Sequence, residues 1–288
     1  RSVAMTVFGD LDVTTLEGLP SGRKPVTTYL ARMAHGPRII QRVWEIIAEE
    51  IATGHQAFVV CPKIDPSDTA DAEDTGDLTS DIHAANVIDI TETLHNLPVF
   101  ANARVASLHG RQDQQTQDEI MGAFVAGKID ILVATTIIEV GVDVPNATVM
   151  AILDPEYFGL STLHQLRGRV GRGEAPARCF LATRLPDGHP SLDRLAVIEK
   201  TEDGFEIAKA DVEQRGEGDV LGAAQHGYAS QLQVLKVIQH AELIAQAAHW
   251  VNQALEDDAS LSAYPQLVHA VEAWETAHED SSDYLEKN

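Results

Sequence analysis

Positive charge is scarce in this chain. Its 288 residues hold 21 Lys and Arg against 44 Asp and Glu, a formal net charge of −23. Polyanions are bound by Lys and Arg, so this balance argues against tight nucleic-acid binding by the chain as a whole. Cysteine is nearly absent too. Cys61 and Cys179 each sit alone in an apolar, strand-like run, which excludes a disulfide framework and fits a reducing cytosol. No Cys or His group has ligand spacing, so no metal site is expected. No run of eighteen apolar residues occurs, so no membrane-spanning helix is expected, and no signal peptide is read at the start. There is no fixed-period repeat. A GxxxxGK[ST] phosphate cradle is missing from the whole sequence, and no acidic box follows a strand in a metal-holding manner.

What is present is unevenly spread. Residues 64–93 contain nine acids and no Lys or Arg, and residues 256–288 contain nine acids and only Lys287. Together these segments hold 17 of the 23 excess negative charges. From Arg167 to Arg184, in contrast, five arginines meet one acid, Glu174. The chain is acidic at its margins and basic in one place.

An apolar fraction of 44% is enough for a real core. Strand and helix patterns alternate through residues 26–183. Strands are expected at 25–30, 57–61, 104–108, 129–134, 148–153 and 178–183, with helices at 37–53, 82–97 and 113–126. That alternation predicts an α/β fold with a parallel sheet covered on both faces, whose ligands gather at the carboxyl ends of the strands. The acidic 64–93 loop reads as a surface insertion. After about residue 185 the strand signals stop. Short helical pieces broken by glycines are expected over 190–227, a long helix over 229–257 and a last one over 264–277.

Four segments could carry chemistry. Gln165-Leu166-Arg167-Gly168-Arg169-Val170-Gly171-Arg172-Gly173 alternates arginine, a permanently charged fork that fits phosphate oxygens, with glycine, which allows close approach. If the segment is helical, Gln165, Arg169 and Arg172 share one face while Arg167 points elsewhere. Ser161 or Thr162 is the expected N-cap before it. Thr135 and Thr136 follow the apolar strand at its carboxyl end, and Gly141 and Asp143 lie just beyond. There Asp143 could accept hydrogen bonds from ribose hydroxyls, or simply cap a turn. Leu108-His109-Gly110-Arg111 ends another strand ahead of a helix, where helix amides favour a polyanion, although His109 could equally be structural. The glycine-rich run around Arg215 and Gln225 reads as a structured loop, for which packing is the default. With arginines but no cradle, the chain has half of a nucleotide site.

Together these segments resemble superfamily two helicases, most closely the RecG family of bacterial branch-migration helicases. Val133–Ala147 resembles helicase motif five, and Phe158–Ser161 leading into His164–Gly173 resembles motif six in nearly every letter. Val59-Val60-Cys61-Pro62 is similar to motif four, and the stretch around Arg215 and Gln225 to the TRG element, which couples nucleotide state to translocation. The resemblance implies a RecA-like second motor domain over 26–187, a linker over 1–25, a TRG-like hairpin and loop over 188–228, and C-terminal helices with an acidic tail over 229–288.

The same resemblance implies ATP and Mg2+ as cofactors, bound with a first motor domain that this sequence does not contain. Arg169 and Arg172 would reach the γ-phosphate, Gln165 would sense it, and Gly141 and Asp143 would border the nucleotide. Thr135, Thr136, His109, Gly110 and Arg111 would face DNA, and Arg215 and Gln225 would couple the two. Branched or duplex DNA, an amino-terminal wedge and first motor domain, and a single-stranded DNA-binding protein are the implied partners, and the bacterial cytoplasm the implied place. A transcription-repair coupling translocase, an RNA helicase domain and a non-catalytic interaction module are the competing readings.

Overall fold

In the computed structural model of the chain, the described residues are 25–68, 84–139, 143–215, 241–258 and 261–277. Those up to Arg215 belong to one compact unit, and the helices beyond residue 240 belong to another. The first unit is built on six strands: β1 (Val26–Arg32), β2 (Gln56–Val60), β3 (Val105–Leu108), β4 (Ile131–Ala134), β5 (Ala147–Leu153) and β6 (Ala177–Thr183). They form one sheet in the order β1-β6-β5-β2-β4-β3, and every pairing is parallel. Strands β2, β4 and β5 are buried at every position. A parallel strand covered on both faces is expected to be largely apolar, and Gln56 and Thr148 are the polar exceptions in these three.

Helices α1 (Arg38–Ala52) and α2 (Val87–Asn96) cover one face, where Val43, Trp44, Ile47, Val87 and Leu94 meet Val59, Val133, Ala151 and Phe180. The other face is covered by α3 (Gln114–Val125), α4 (Leu160–Arg167), α5 (Pro190–Lys200) and α6 (Gly204–Arg215). Phe124, Leu160, Leu163, Leu166, Leu195, Ile198 and Ile207 pack there on Phe58, Leu132, Ile152 and Leu181. The expected RecA-like, three-layered α/β fold is present.

Local capping sets the boundaries. The Asn86 side chain accepts from the Asp89 amide at 2.8 Å, so α2 starts at Val87 rather than 82. Asp113 accepts from the Thr116 amide at 2.9 Å and starts α3. In the second unit, α7 (Ala241–Asp257) and α8 (Pro265–Ala277) follow the apolar patterns, and Trp250 meets Tyr264 edge-on at 5.2 Å. Residues 1–24 of the expected 1–25 linker, the loop residues 69–83, the glycine-rich run from 216 and the start of the expected 229–257 helix lie outside the described residues. No helix among the described residues is long and apolar enough to cross a membrane. Cys61 and Cys179 are free and buried, and burial pushes the Cys179 thiol up to about 12.

Candidate functional site

The strand register lines up the expected residues along one edge. Ala134 is level with Leu108 on one side and Val60 on the other, so His109, Thr135 and Cys61 follow one another across the carboxyl ends of β3, β4 and β2. Thr135 and Thr136 are half-buried there, and Thr136 opens a single 3-10 turn to Glu139. Ile138 of that turn packs into the same core as Leu160, Leu163 and Leu166 of α4. Residues 140–142, with Gly141, lie outside the described residues.

Helix α4 differs from the expectation at both ends. Its N-cap is Gly159, which has no side chain to offer, and not Ser161 or Thr162. A carboxylate from another helix takes that place: Asp211 of α6 accepts from the Leu160 amide at 3.3 Å. The helix stops at Arg167, with Gly168 as its C-cap. Gln165 is therefore exposed on the helix, while Arg169 and Arg172 lie beyond it in a turn. The shared helical face does not exist, because Gly168 and Gly171 end the helix where the i, i+4, i+7 pattern requires it to continue. Gly171 takes φ +74°, a conformation that favours glycine. Gly173 is held even more tightly, since a Cβ there would lie 2.4 Å from the Pro145 carbonyl oxygen. The arginine turn is thus pressed onto the Asp143–Pro145 segment.

That packing brings two expected residues together. The Arg172 guanidinium donates through Nη1 to Asp143 in an ion pair, and its Nε donates to the Gly168 carbonyl at 3.2 Å. Asp143 therefore faces the arginine turn. Arg169 is half-buried, with its amide bonded to Leu166 O at 2.9 Å. Arg167 does point elsewhere, and it is buried: Nη1 donates to Ile198 O at 2.7 Å and Thr201 O at 2.8 Å, and Nη2 meets His164 Nδ1 at 3.0 Å. Helix α4 is held at one end by Asp211 of α6 and at the other by the carbonyls where α5 closes.

The His109–Arg111 turn stands apart from this cluster. Helix α3 begins at Gln114, and the Asp113 side chain already accepts from one of its first-turn amides, that of Thr116. The His109 amide donates to Gln112 Oε1 at 2.9 Å. At Gly110 a Cβ would meet nothing within 4 Å. Arg111 is paired with Asp65 and Asp68 from the start of the acidic loop. Arg215 closes α6, its side chain and Gln225 both lying outside the described residues.

A buried polar group beside α4 was not foreseen. Asp154, directly after β5, has left-handed φ 47° and ψ 57° and is 1% exposed. It accepts from Arg184 Nε at 2.9 Å and from the Ala85 amide at 2.6 Å. Glu156 is buried next to it, and burial, with Asp154 adding to it, pushes its carboxyl up to about 7. Arg194 of α5 donates to the carbonyls of Glu156 and Phe158, fixing the approach to α4. These partners lie tens of residues apart, so no local spacing announces them. Only the Asp-Pro-Ser-Asp run at 65–68 carried a readable signal, that of an Asx turn.

The helicase conserved C-terminal domain family matches residues 39–174. The family described as ATP-dependent DNA helicase RecG, domain 3, C-terminal matches residues 201–270. The chain is 42% identical, over its whole length, to a Mycobacterium tuberculosis protein named ATP-dependent DNA helicase RecG, of which it spans 37%. It is 39% identical over 227 residues to the protein of the same name from Staphylococcus epidermidis, covering 79% of this chain and 31% of that one. The chain thus spans about a third of the length of these relatives. Among solved structures, that of RecG bound to a three-way DNA junction matches with a TM-score of 0.60 and 37% identity, over 85% of this chain and 29% of that one.

Proposed function

The chain belongs to the RecG family of ATP-dependent DNA helicases, and on that premise we propose that residues 26–187 are the second motor domain of a longer DNA translocase. Residues 1–25 would be the linker ahead of that domain, residues 188–228 the coupling hairpin and loop, and residues 229–288 the terminal helices and tail. The substrate would be branched or duplex DNA, in the bacterial cytoplasm. The observation that carries the reading is the arginine turn held between Gly168 and Gly173, with Arg172 paired to Asp143 on the neighbouring segment.

Two guanidiniums in a glycine turn fit a triphosphate, which they can grip bidentately. They do not fit Mg2+: among the described residues no group of three His, Cys, Asp or Glu could hold a metal ion. The metal and the phosphate cradle would belong to the other motor domain. Bound ATP supplies the phosphoryl bond whose hydrolysis drives movement. Arg169 and Arg172 would orient the terminal phosphate oxygens and offset the charge that develops on them. Asp143 would keep Arg172 aimed until closure gives it a phosphate partner, and Gln165 and Gly141 would border the same cleft. Thr135, Thr136, His109, Gly110 and Arg111 would meet DNA phosphates, which position a protein on DNA without reading its sequence. Arg215 and Gln225 would couple the two sites.

Arg172→Ala in the longer protein tests the assignment. A finger arginine contributes ~10³–10⁵ in rate, so DNA-stimulated ATP hydrolysis should fall by about that factor while the Kd for branched DNA stays within about twofold. Near-normal hydrolysis would remove Arg172 from the site.

A further inference from the structure

Arg111 stands in the turn between β3 and α3, with 53% of its side chain exposed, and yet both arms of its guanidinium are taken. Nη1 donates to Asp65 Oδ2 and Nη2 to Asp68 Oδ1. The two carboxylates are themselves fixed. Asp68 uses its other oxygen to accept the amides of Ile64 at 3.2 Å and Asp65 at 3.1 Å. Asp65 uses its other oxygen to accept the Ser67 amide at 2.8 Å and its hydroxyl. Each acid thus ties the turn after β2 with one oxygen and presents the second to Arg111. Hydrogen bonds from Ser67 and Arg111 hold the Asp65 carboxyl down at about 2, so it stays ionised at any working pH.

Two fixed anionic oxygens, one on each arm of the guanidinium, occupy the donors that a phosphate would take from the same fork. The neighbouring Gly110 leaves open space beside it. The sequence then continues through Asp71, Glu73, Asp74, Asp77 and Asp81 without a Lys or Arg. With the guanidinium half exposed and the carboxylates 18% and 22% exposed, such a pairing is open to salt and to exchange of the arginine's partner.

We propose that Asp65 and Asp68 stand in for nucleic-acid phosphate on Arg111, and that a phosphate must displace them before this edge of the sheet can hold DNA. The inference rests on the reading that the carboxyl edge faces DNA phosphates. It makes the two acids affinity-setting residues: they lower the affinity of an arginine that would otherwise be available, and so favour release over tight static binding.

The test uses the longer protein, a labelled three-way DNA junction without nucleotide, and binding measured across a range of salt. Asparagine keeps the oxygen acceptors that close the turn, so Asp65→Asn with Asp68→Asn should fold as the parent does, and the single Asp68→Asn should give part of the effect. The double substitution should tighten Kd by about three- to tenfold at low salt and steepen the salt dependence by about one counterion. Arg111→Ala should weaken binding and reduce that slope by about one. With Arg111→Ala present, the two asparagines should change nothing. Weaker binding by the asparagine pair would mean that the acids present Arg111 to DNA, and it overturns the proposal. An equal gain with and without Arg111 also overturns it, leaving only general repulsion and keeping the DNA-facing reading. If Arg111→Ala alone leaves DNA binding unchanged, the reading of the edge itself fails and the proposal falls with it.

Discussion

Single residues at the candidate site are held by partners that a change of state could replace. Arg172 answers to Asp143, and Gly173 permits the approach to Pro145 that makes the pairing possible. Glu156 presents a different case, because its environment favours the neutral acid. Its ordinary value of 4.5 rises to about 7 in the fold, from burial first and Asp154 second. The folded state therefore holds this proton more tightly than the unfolded chain does. The resulting stability is fully present below about pH 4.5, declines as pH rises, and is gone above about pH 7. Across that window the group should cost roughly 3 kcal/mol. Glu156→Gln should remove the cost, so the variant's gain in urea midpoint over the parent should grow from pH 5 to pH 7.5. A gain that does not change with pH would show that Glu156 is ionised throughout.

Among the elements, α4 is the one that joins the proposed nucleotide site to the region after the sheet. It has no cap of its own, and Asp211 supplies one from α6. Arg167 binds its other end to the carbonyls of Ile198 and Thr201. Removing an N-cap carboxylate costs ~1 kcal/mol, so Asp211→Ala should lower stability by at least about that much. Asp211→Asn, which keeps the acceptor, should lose less. Thermal midpoints of the two variants check this, and equal losses would mean that the cap is not what Asp211 contributes. These grips also mark the limit of what the sequence made legible. The strands were readable because burial on both faces demands apolar runs such as Ile131–Ala134 and Val149–Leu153. The helical face through Gln165, Arg169 and Arg172 was misread because a side-chain period was followed past Gly168 and Gly171. Asp143 lies 29 residues from Arg172 and Asp211 lies 51 from Leu160. Pairings at that range come from the fold, not from a pattern along the chain.

At the scale of the whole molecule, the charge distribution and the missing cradle point the same way. A net charge of −23, with five arginines against one acid between Arg167 and Arg184, suits a lobe that closes on a nucleotide more than one that grips DNA by itself. The RecG relatives are more than twice as long, and this chain spans 37% of the M. tuberculosis protein. On the proposed reading, the arginine turn is one jaw of an ATP site whose other jaw lies elsewhere in a longer protein. ATP turnover by this 288-residue chain alone and by the longer protein, side by side with the same three-way DNA junction, tests it most directly. The longer protein should hydrolyse ATP in response to the junction, and the chain alone should show no turnover above the buffer. Hydrolysis by the chain alone at a rate comparable to the longer protein would contradict the account.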